Sequence, residues 1–533
     1  MCIIGGGPAG LSIARHLDGS AHRVVVLERG HGPGRPLGVR SGDVAIGQSD
    51  LAPPPTPPPR FGGAANEWIV RLPWHRRGVR MLPLSPIDFE ARPWLPHSGW
   101  PFDLDHLNRH YAAAHELLDL GAFDYELAGW ENLRSPRLAL EASGLTTAIE
   151  RFARADIFTS SIWTQLQRSR NVEVHLDANV GALSGKDGRV ELAEIDHGRR
   201  ARLTVAADVF VLAASGFENP RLLLASNDGR GIGNEHDVVG RYHMDHVRMI
   251  SGTLTPSDPR SFEGMSLYDI QARNGAWRMG KLVPTVSSMH AANLLNSGAM
   301  LLPKLSAASR TTVSRAGAAL RAVRSGHRPD DLPAARDVAR TVARLASTAV
   351  EMAVRQRRFP PRTDAGWSQL RGNGRRWATF DVEHQLEQVP DPSNRIRLDD
   401  RTDELGRRRA VLDWTWSEHE LRNIRATQQL FERGFARSGI GRFEPQQWDD
   451  VPVLTTPGGA YHPMGGTRMH ADPQRGVVGA TAQVHGWPNL FVAGSSVFPT
   501  GGYANPTLTV IALALRLAAE IERQLSPVRV AST

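Results

Sequence analysis

Cysteine is almost missing from this chain. Its 533 residues contain one, Cys2, so no intramolecular disulfide can form and no oxidising compartment is needed. Long hydrophobic runs are missing too. The longest, Leu508 to Ala519, is broken by Arg516 and is too short to cross a bilayer. No basic-then-apolar leader precedes Gly5, so a secretory signal is not expected and the cytoplasm is the default location. Nor is there a basic run interleaved with aromatics. The net charge of +8 comes from arginines spread along the chain and densest between Arg310 and Arg362. That pattern reads as a solvated surface and not as a nucleic-acid groove. What is present is ordinary for a globular protein with a large core: 41% hydrophobic and 22% charged residues. The length favours two domains, or one with a large insertion.

Periodicity places the elements. Cys2–Ile4 and Val24–Leu27 read as short buried strands, with a helix over Leu11–Leu17 between them, forming one βαβ unit. Leu51 to Arg60 is a proline-rich loop that can be neither helix nor ladder. The stretch from Asp88 to Leu120 is aromatic and helical, with a turn at Ser98–Phe102. Strands are expected at Val172–Leu176, Val180–Leu183 and Val209–Ala213. From Arg241 to Val453 the βαβ alternation stops. Residues 306–358 are rich in Ala and Arg and helical in period, and strands return at Trp377–Val382 and Arg395–Leu398. Leu490–Ala493 restores a buried strand, and a last helix runs from Pro506 to about Leu525.

Gly5-Gly6-Gly7-Pro8-Ala9-Gly10 fits G-x-G-x-x-G between a strand and a helix. Gly5 permits the tight turn, Gly7 lets the backbone approach a pyrophosphate, and Gly10 lets the helix pack close on the strand. The helix N-terminus offers free N–H groups to the phosphates. Glu28 closes the second strand, where an acid can bond a ribose 2′-hydroxyl. These residues indicate a dinucleotide without separating FAD from NAD.

Toward the C-terminus stand Tyr461 to Met469 (YHPMGGTRM), Gly494 to Pro499 (GSSVFP) and Ala504 to Thr509 (ANPTLT). Together they resemble the closing signature of the glucose–methanol–choline (GMC) oxidoreductases. Further agreement, in order, comes from Gly62-Gly63 ahead of Asn66 and Trp68, from Ser215–Leu222, from Gly231–Asn234 and from Val239–Tyr242. The resemblance is weakest from about Pro256 to Gln369, and is closest to the pyranose oxidase and bacterial glycoside 3-oxidase subgroup. It implies an α/β fold: a Rossmann-like FAD-binding domain of the GMC type and a second α+β substrate-binding domain on a mostly antiparallel sheet. The FAD domain would be discontinuous, from 1–70, 150–240 and 455–533. The substrate domain would take 71–149 and 241–454, with a helical insertion at about 306–358.

The resemblance also implies the site. FAD would be held by Gly5, Gly7, Pro8, Ala9, Gly10, Glu28, Gly62, Gly63, Asn66, Val180, Ala213, Gly494, Ser495, Asn505, Pro506 and Thr507. His462 would be the catalytic base and Asn505 the partner that orients the hydroxyl. The chemistry is sound without the family: removing a hydride from a carbinol requires a neutral base near pH 7, which histidine supplies. Asn505 also reads as a helix N-cap ahead of Pro506. One departure matters. Pyranose oxidases of this subgroup tether FAD through a histidine just before the tryptophan of the Gly-Gly segment, and here Glu67 stands before Trp68. The FAD is therefore expected to be noncovalent.

The implied activity is oxidation of a secondary hydroxyl of a sugar, glycoside or cyclitol to a ketone by hydride transfer to flavin N5. Oxygen or a quinone would be the electron acceptor, and neither nucleic acid nor membrane would be a partner. Two rivals are an FAD-dependent hydroxylase using NADPH and a non-catalytic flavin-binding scaffold. Neither gives a reason for His462 and Asn505 in their contexts. No metal site is expected, because His106 and His110, four apart on a helix, have no third ligand. His243 and His246 flank Asp245 and read as packing residues of an inter-domain seam. Ser495 and Ser496 lack the G-x-S-x-G elbow of a hydrolase.

Overall fold

The computed structural model describes residues 1–33, 45–50, 59–72, 76–133, 135–197, 201–273, 275–305, 334–354, 366–369, 377–402, 407–456 and 459–525, with isolated positions between 312 and 325. Residues 51–58 of the proline-rich loop, and the parts of the expected arm outside Ala335–Val354 apart from those isolated positions, lie outside the described residues.

A five-stranded parallel sheet organises the nucleotide-binding half. Its order is Leu490–Val492, Phe210–Leu212, Cys2–Ile4, Val24–Leu27, Val172–His175. The strands are short, apolar and largely buried, as a sheet covered on both faces requires. Helix Pro8–Leu17 connects the first two strands in sequence, and its Pro at the start fits a position where the N–H is not needed. The closing helix Thr507–Leu525 shares one apolar core with it, including Leu11, Leu17, Leu508, Ile511 and Ala514.

A nine-stranded antiparallel sheet forms the other half. Its main path runs Gly441–Pro445, Val247–Pro256, Thr379–Leu386, Ser297–Lys304, Ala276–Pro284, Leu145–Arg154, Arg77–Met81, Val70–Arg71. Helix Glu418–Ser438 buries Phe431 and Phe435 in the apolar cluster that also holds Phe380 and Phe443 of this sheet. A capping box starts that helix: Ser417 and Glu420 each satisfy the other's backbone N–H. Two expected boundaries shift. Strand Leu145–Arg154 belongs wholly to the antiparallel sheet, so a division at residue 150 would cut a ladder. Ala45–Ser49, expected in the FAD-binding segment, pairs instead with Arg408–Trp414 in a separate three-stranded sheet.

Helix Thr507–Leu525 begins one residue later than the sequence suggested, with Val510 N–H donating to the Pro506 carbonyl. Among the described residues, no helix is long and apolar enough to cross a membrane.

A fully buried ion pair ties the loop after Phe89 to the residue that follows strand Thr379–Leu386. Arg92 reaches both carboxylate oxygens of Glu387, at 2.8 and 2.6 Å. Removing one member strands a buried charge, which typically costs about 3–5 kcal/mol. Arg92→Met is expected to lower unfolding stability by that amount in urea titration. A loss under about 1 kcal/mol would show that the pair contributes little.

Candidate active site

The glycines of the first turn divide into two kinds. A Cβ on Gly5 would lie 2.4 Å from the Ala213 carbonyl oxygen, and one on Gly10 would lie 2.1 Å from that of Gly5. Both are therefore required by packing alone. A Cβ on Gly7 would meet nothing within 4 Å. Gly7 instead borders open space at a helix N-terminus that no side chain caps. That is a cradle for an anionic group, and a Cβ would intrude on it.

Glu28 lies beside this turn. Its two carboxylate oxygens accept the N–H groups of Gly6 at 2.7 Å and Gly30 at 2.6 Å. Burial pushes its carboxyl up from the ordinary value, while these two donors pull it back. A carboxylate so held keeps lone pairs for a ribose hydroxyl. Gly62, with φ +88°, donates its N–H to the Gly6 carbonyl at 2.8 Å, and a Cβ on Gly63 would stand 3.0 Å from the Gly7 Cα. Asn66 clasps this second loop through the Phe61 and Gly63 carbonyls.

Ala213 and Gly494 close two neighbouring strands. Asn219 bolts those ends together: its oxygen accepts from Ala214 N–H, and its amide nitrogen donates to the Ala493 carbonyl and Ser496. Ser495 donates to the Pro463 carbonyl at 2.6 Å, which fixes the turn carrying His462. Val180 is buried in strand Asn179–Lys186, next to Ala178, whose N–H donates to the Glu28 carbonyl.

His462 and Asn505 meet. Asn505 Nδ2 lies 3.2 Å from His462 Nε2, although 43 residues separate them in sequence. The Asn505 side chain faces His462 and Gln385, so the expected N-cap role is not what it performs. On the far side of the ring, His462 Nδ1 lies 3.0 Å from Nδ1 of His246. The packing role expected for His246 is thereby corrected. His243 does pack, tilted against the Phe217 ring at 5.0 Å.

Asp245 gathers the two histidine-bearing segments, its Oδ1 accepting the N–H of His246 at 2.6 Å and of His462 at 2.8 Å. Burial drives both imidazoles away from the charged form, His246 to about 4 and His462 well below its ordinary value. The positive charges of Arg248, Lys281 and Arg80 push His462 further down. All three pair with carboxylates: Arg248 with Glu383, and Lys281 and Arg80 with Glu150.

His246 and Asp245 were read only as a packing seam and Gln385 was not singled out, because the partners His462, Tyr503 and Asn505 are far away in sequence. A usable signal existed. An aspartate between His243 and His246, beside Met244 and Val247, is costly to bury unless it organises donors. The other tempting histidines are occupied, His106 by Arg516 and His110 by Arg109. Among the described residues, no group of three or more His, Cys, Asp or Glu is placed to hold a metal.

A glycine turn opening a helix on a parallel sheet, with a buried acid closing the next strand, is the arrangement of a dinucleotide-binding fold. Residues 1–346 match the family described as FAD dependent oxidoreductase, and the chain belongs to that family; residues 390–514 match the C-terminal family model described as GMC oxidoreductase. Fructose dehydrogenase large subunit of Gluconobacter japonicus is 27% identical over 323 residues, 59% of this chain and 47% of that protein. 2-Methyl-1,2-propanediol dehydrogenase of Mycolicibacterium austroafricanum is 25% identical over 366 residues, 67% of this chain and 55% of that protein. The chain thus spans about half the length of these two relatives. A C-glycoside 3-oxidase of Arthrobacter globiformis is 42% identical over 113 residues, 21% of this chain and 20% of that protein. A fungal aryl-alcohol oxidase structure shares the fold, with a TM-score of 0.54, 14% identity and 98% of each chain covered.

Gly7→Val is expected to fold with the parent's circular dichroism and to purify without flavin absorbance. A yellow Gly7→Val protein with full occupancy would place the phosphates elsewhere.

Proposed function

We propose that the enzyme oxidises a secondary hydroxyl of a sugar, glycoside or cyclitol to a ketone, with His462 as base and Asn505 orienting the hydroxyl. The observation that carries this reading is the juxtaposition of His462 Nε2 and Asn505 Nδ2 at 3.2 Å, where the closing helix begins. A hydroxyl placed there can give its proton to the imidazole while its oxygen accepts from the amide. FAD, when bound, accepts the hydride at N5. The segments of the parallel sheet, with Gly5, Gly7, Glu28, Gly62, Gly63 and Gly494, would hold that group. The antiparallel sheet, whose strand Val247–Pro256 follows His246, would supply the wall over it. Names of relatives support the substrate class: fructose dehydrogenase and C-glycoside 3-oxidase act on sugars by name. Glu67 in place of a tethering histidine supports noncovalent FAD.

Anaerobic mixing with free sugars, glycosides and cyclitols, followed by flavin absorbance, tests the substrate class. Bleaching by a member of the panel is expected; bleaching by NADPH alone would favour a hydroxylase, and none by any polyol a scaffold. Acid precipitation should leave the FAD in the supernatant.

With a confirmed substrate, His462→Ala should keep FAD and slow flavin reduction by ~10²–10⁴-fold, the contribution of a positioned base. Asn505→Ala should slow it less. His462 is held below the ordinary imidazole value, so reduction should be flat from neutral pH upward and fall on acidification below the usual histidine range. Parent-rate reduction by His462→Ala would remove the base assignment.

A further inference from the structure

We propose that His246 is a positioning residue that holds His462 in the tautomer protonated on Nδ1, so that its bare Nε2 faces Asn505 and the substrate hydroxyl. The proposal rests on His462 being the base, and the hydrogen-bond chain itself fixes its polarity.

Two adjacent backbone carbonyls anchor the chain. His246 Nε2 lies 2.9 Å from the Gly502 carbonyl oxygen, and Gln385 Nε2 lies 2.6 Å from that of Tyr503. A carbonyl oxygen can only accept, so His246 Nε2 carries a hydrogen, and the Gln385 amide points its nitrogen at Tyr503. Burial keeps His246 neutral at pH 7, which leaves its Nδ1 bare. That bare nitrogen faces His462 Nδ1 at 3.0 Å, while Gln385 Nε2, 3.3 Å away, directs its two hydrogens to Tyr503 and Asn505. His462 Nδ1 therefore carries the proton, and its Nε2 is the bare nitrogen. From the other anchor, Gln385 Nε2 donates to Asn505 Oδ1 at 3.0 Å. This fixes the orientation of the Asn505 amide, so that its Nδ2 donates toward His462 Nε2 at 3.2 Å.

The reverse assignment fails at several links. With the His462 proton on Nε2, two bare Nδ1 lone pairs would face each other across 3.0 Å. The Nε2 hydrogen would also confront the Asn505 amide hydrogens. Turning Asn505 over to relieve that clash would set its nitrogen against the Gln385 nitrogen, which the Tyr503 carbonyl holds in place. Tautomers and amide orientations are set by such networks, and both ends of this one are pinned. The charged groups around the pair leave the logic intact. Asp245 binds both histidines through backbone N–H alone, and Arg248, Lys281 and Arg80 are engaged by carboxylates. Glu387 acts on His246 electrostatically while accepting from Arg92.

The test reads tautomers directly and needs no substrate. The FAD-loaded full chain is labelled with ¹⁵N-histidine, and long-range ¹H–¹⁵N imidazole correlations are assigned by comparison with His462→Ala. A pyridine-type Nε2 on His462 and a pyridine-type Nδ1 on His246 are expected. The opposite pattern at either ring overturns the proposal. His246→Leu should move the His462 pyridine-type signal, wholly or in part, from Nε2 to Nδ1. His246→Gln, whose amide can donate to Gly502 and accept from His462, should restore the parent pattern. An unchanged His462 tautomer in a folded His246→Leu protein would show that His246 does not set it. If neither variant folds, the parent spectrum alone decides. Failure of the base reading is separate: His462→Ala could reduce its flavin at the parent rate while the parent tautomers stand as assigned here.

Discussion

The site depends on one buried carboxylate. Asp245 lies fully within the protein, and burial pushes its carboxyl up to about 7. Backbone donors oppose that shift: the N–H groups of His462 and His246 donate to it, with that of Tyr461 beside them. Around this point the two segments are zipped together. Met244 and Met464 exchange backbone hydrogen bonds at 2.9 and 2.8 Å, and Ala460 N–H donates to the His246 carbonyl at 2.7 Å. Such convergence requires an unusual backbone. Tyr461 adopts φ +59°, and Gly459 stands so close that a Cβ there would lie 2.7 Å from Asp245 Oδ2. Holding a non-glycine residue in that conformation costs roughly 1 kcal/mol or more, and the carboxylate offsets it by gathering the amides. His462 is thus placed by main-chain contacts as well as by its ring.

A second layer of support reaches the same ring from the opposite direction. Glu387, locked to Arg92, also accepts the Asn296 N–H at 2.8 Å and the Gly502 N–H at 3.3 Å. Asp88 receives the Asn296 amide at 2.7 Å, and its backbone carbonyl accepts from the Thr500 hydroxyl at 2.7 Å. Gly502 fits because a Cβ would sit 2.5 Å from an Asp88 carboxylate oxygen. Its carbonyl is therefore fixed where His246 Nε2 finds it. Replacing both members of such a buried pair by apolar residues is often neutral, even though removing one alone is costly. What it adds here is position, carried through Gly502 and His246 to the base.

Local chemistry was legible in the sequence and remote pairing was not. The strands Cys2–Ile4 and Val24–Leu27 are short apolar runs bounded by turns, and both form where periodicity places them. The glycine turn and Glu28 are separated by one helix, so their relation follows from the βαβ unit alone. The start of the closing helix was off by one residue because Asn505 has a stronger tertiary use than capping. His246 was misread for a related reason. Its partner His462 is 216 positions away, and no local pattern distinguishes a histidine that packs from one that hydrogen-bonds across such a distance. Strand Leu145–Arg154 was divided because a boundary carried over from a family resemblance does not see which sheet a strand joins.

The identity of the second imidazole carries a further constraint. If His462 takes the hydroxyl proton as proposed, it would become an imidazolium, and Arg248, Lys281 and Arg80 all disfavour that charge. An aspartate in place of His246 would stabilise the cation, but it would also stabilise it before any substrate arrives. His462 would then be protonated at neutral pH, and the base would be spent. A neutral acceptor discriminates between the two stages. Against neutral His462, the Nδ1–H···Nδ1 contact is an ordinary hydrogen bond, with a net contribution of about 1 kcal/mol. Once Nε2 has taken the proton, the same contact becomes charge-assisted and roughly doubles in strength. Its benefit therefore grows as the proton moves, which is what an interaction must do to accelerate a step instead of merely favouring the bound state. In the proposed mechanism the surrounding cations would keep His462 neutral before a substrate binds, and the hydrogen bond to a neutral His246 would strengthen as the proton arrives.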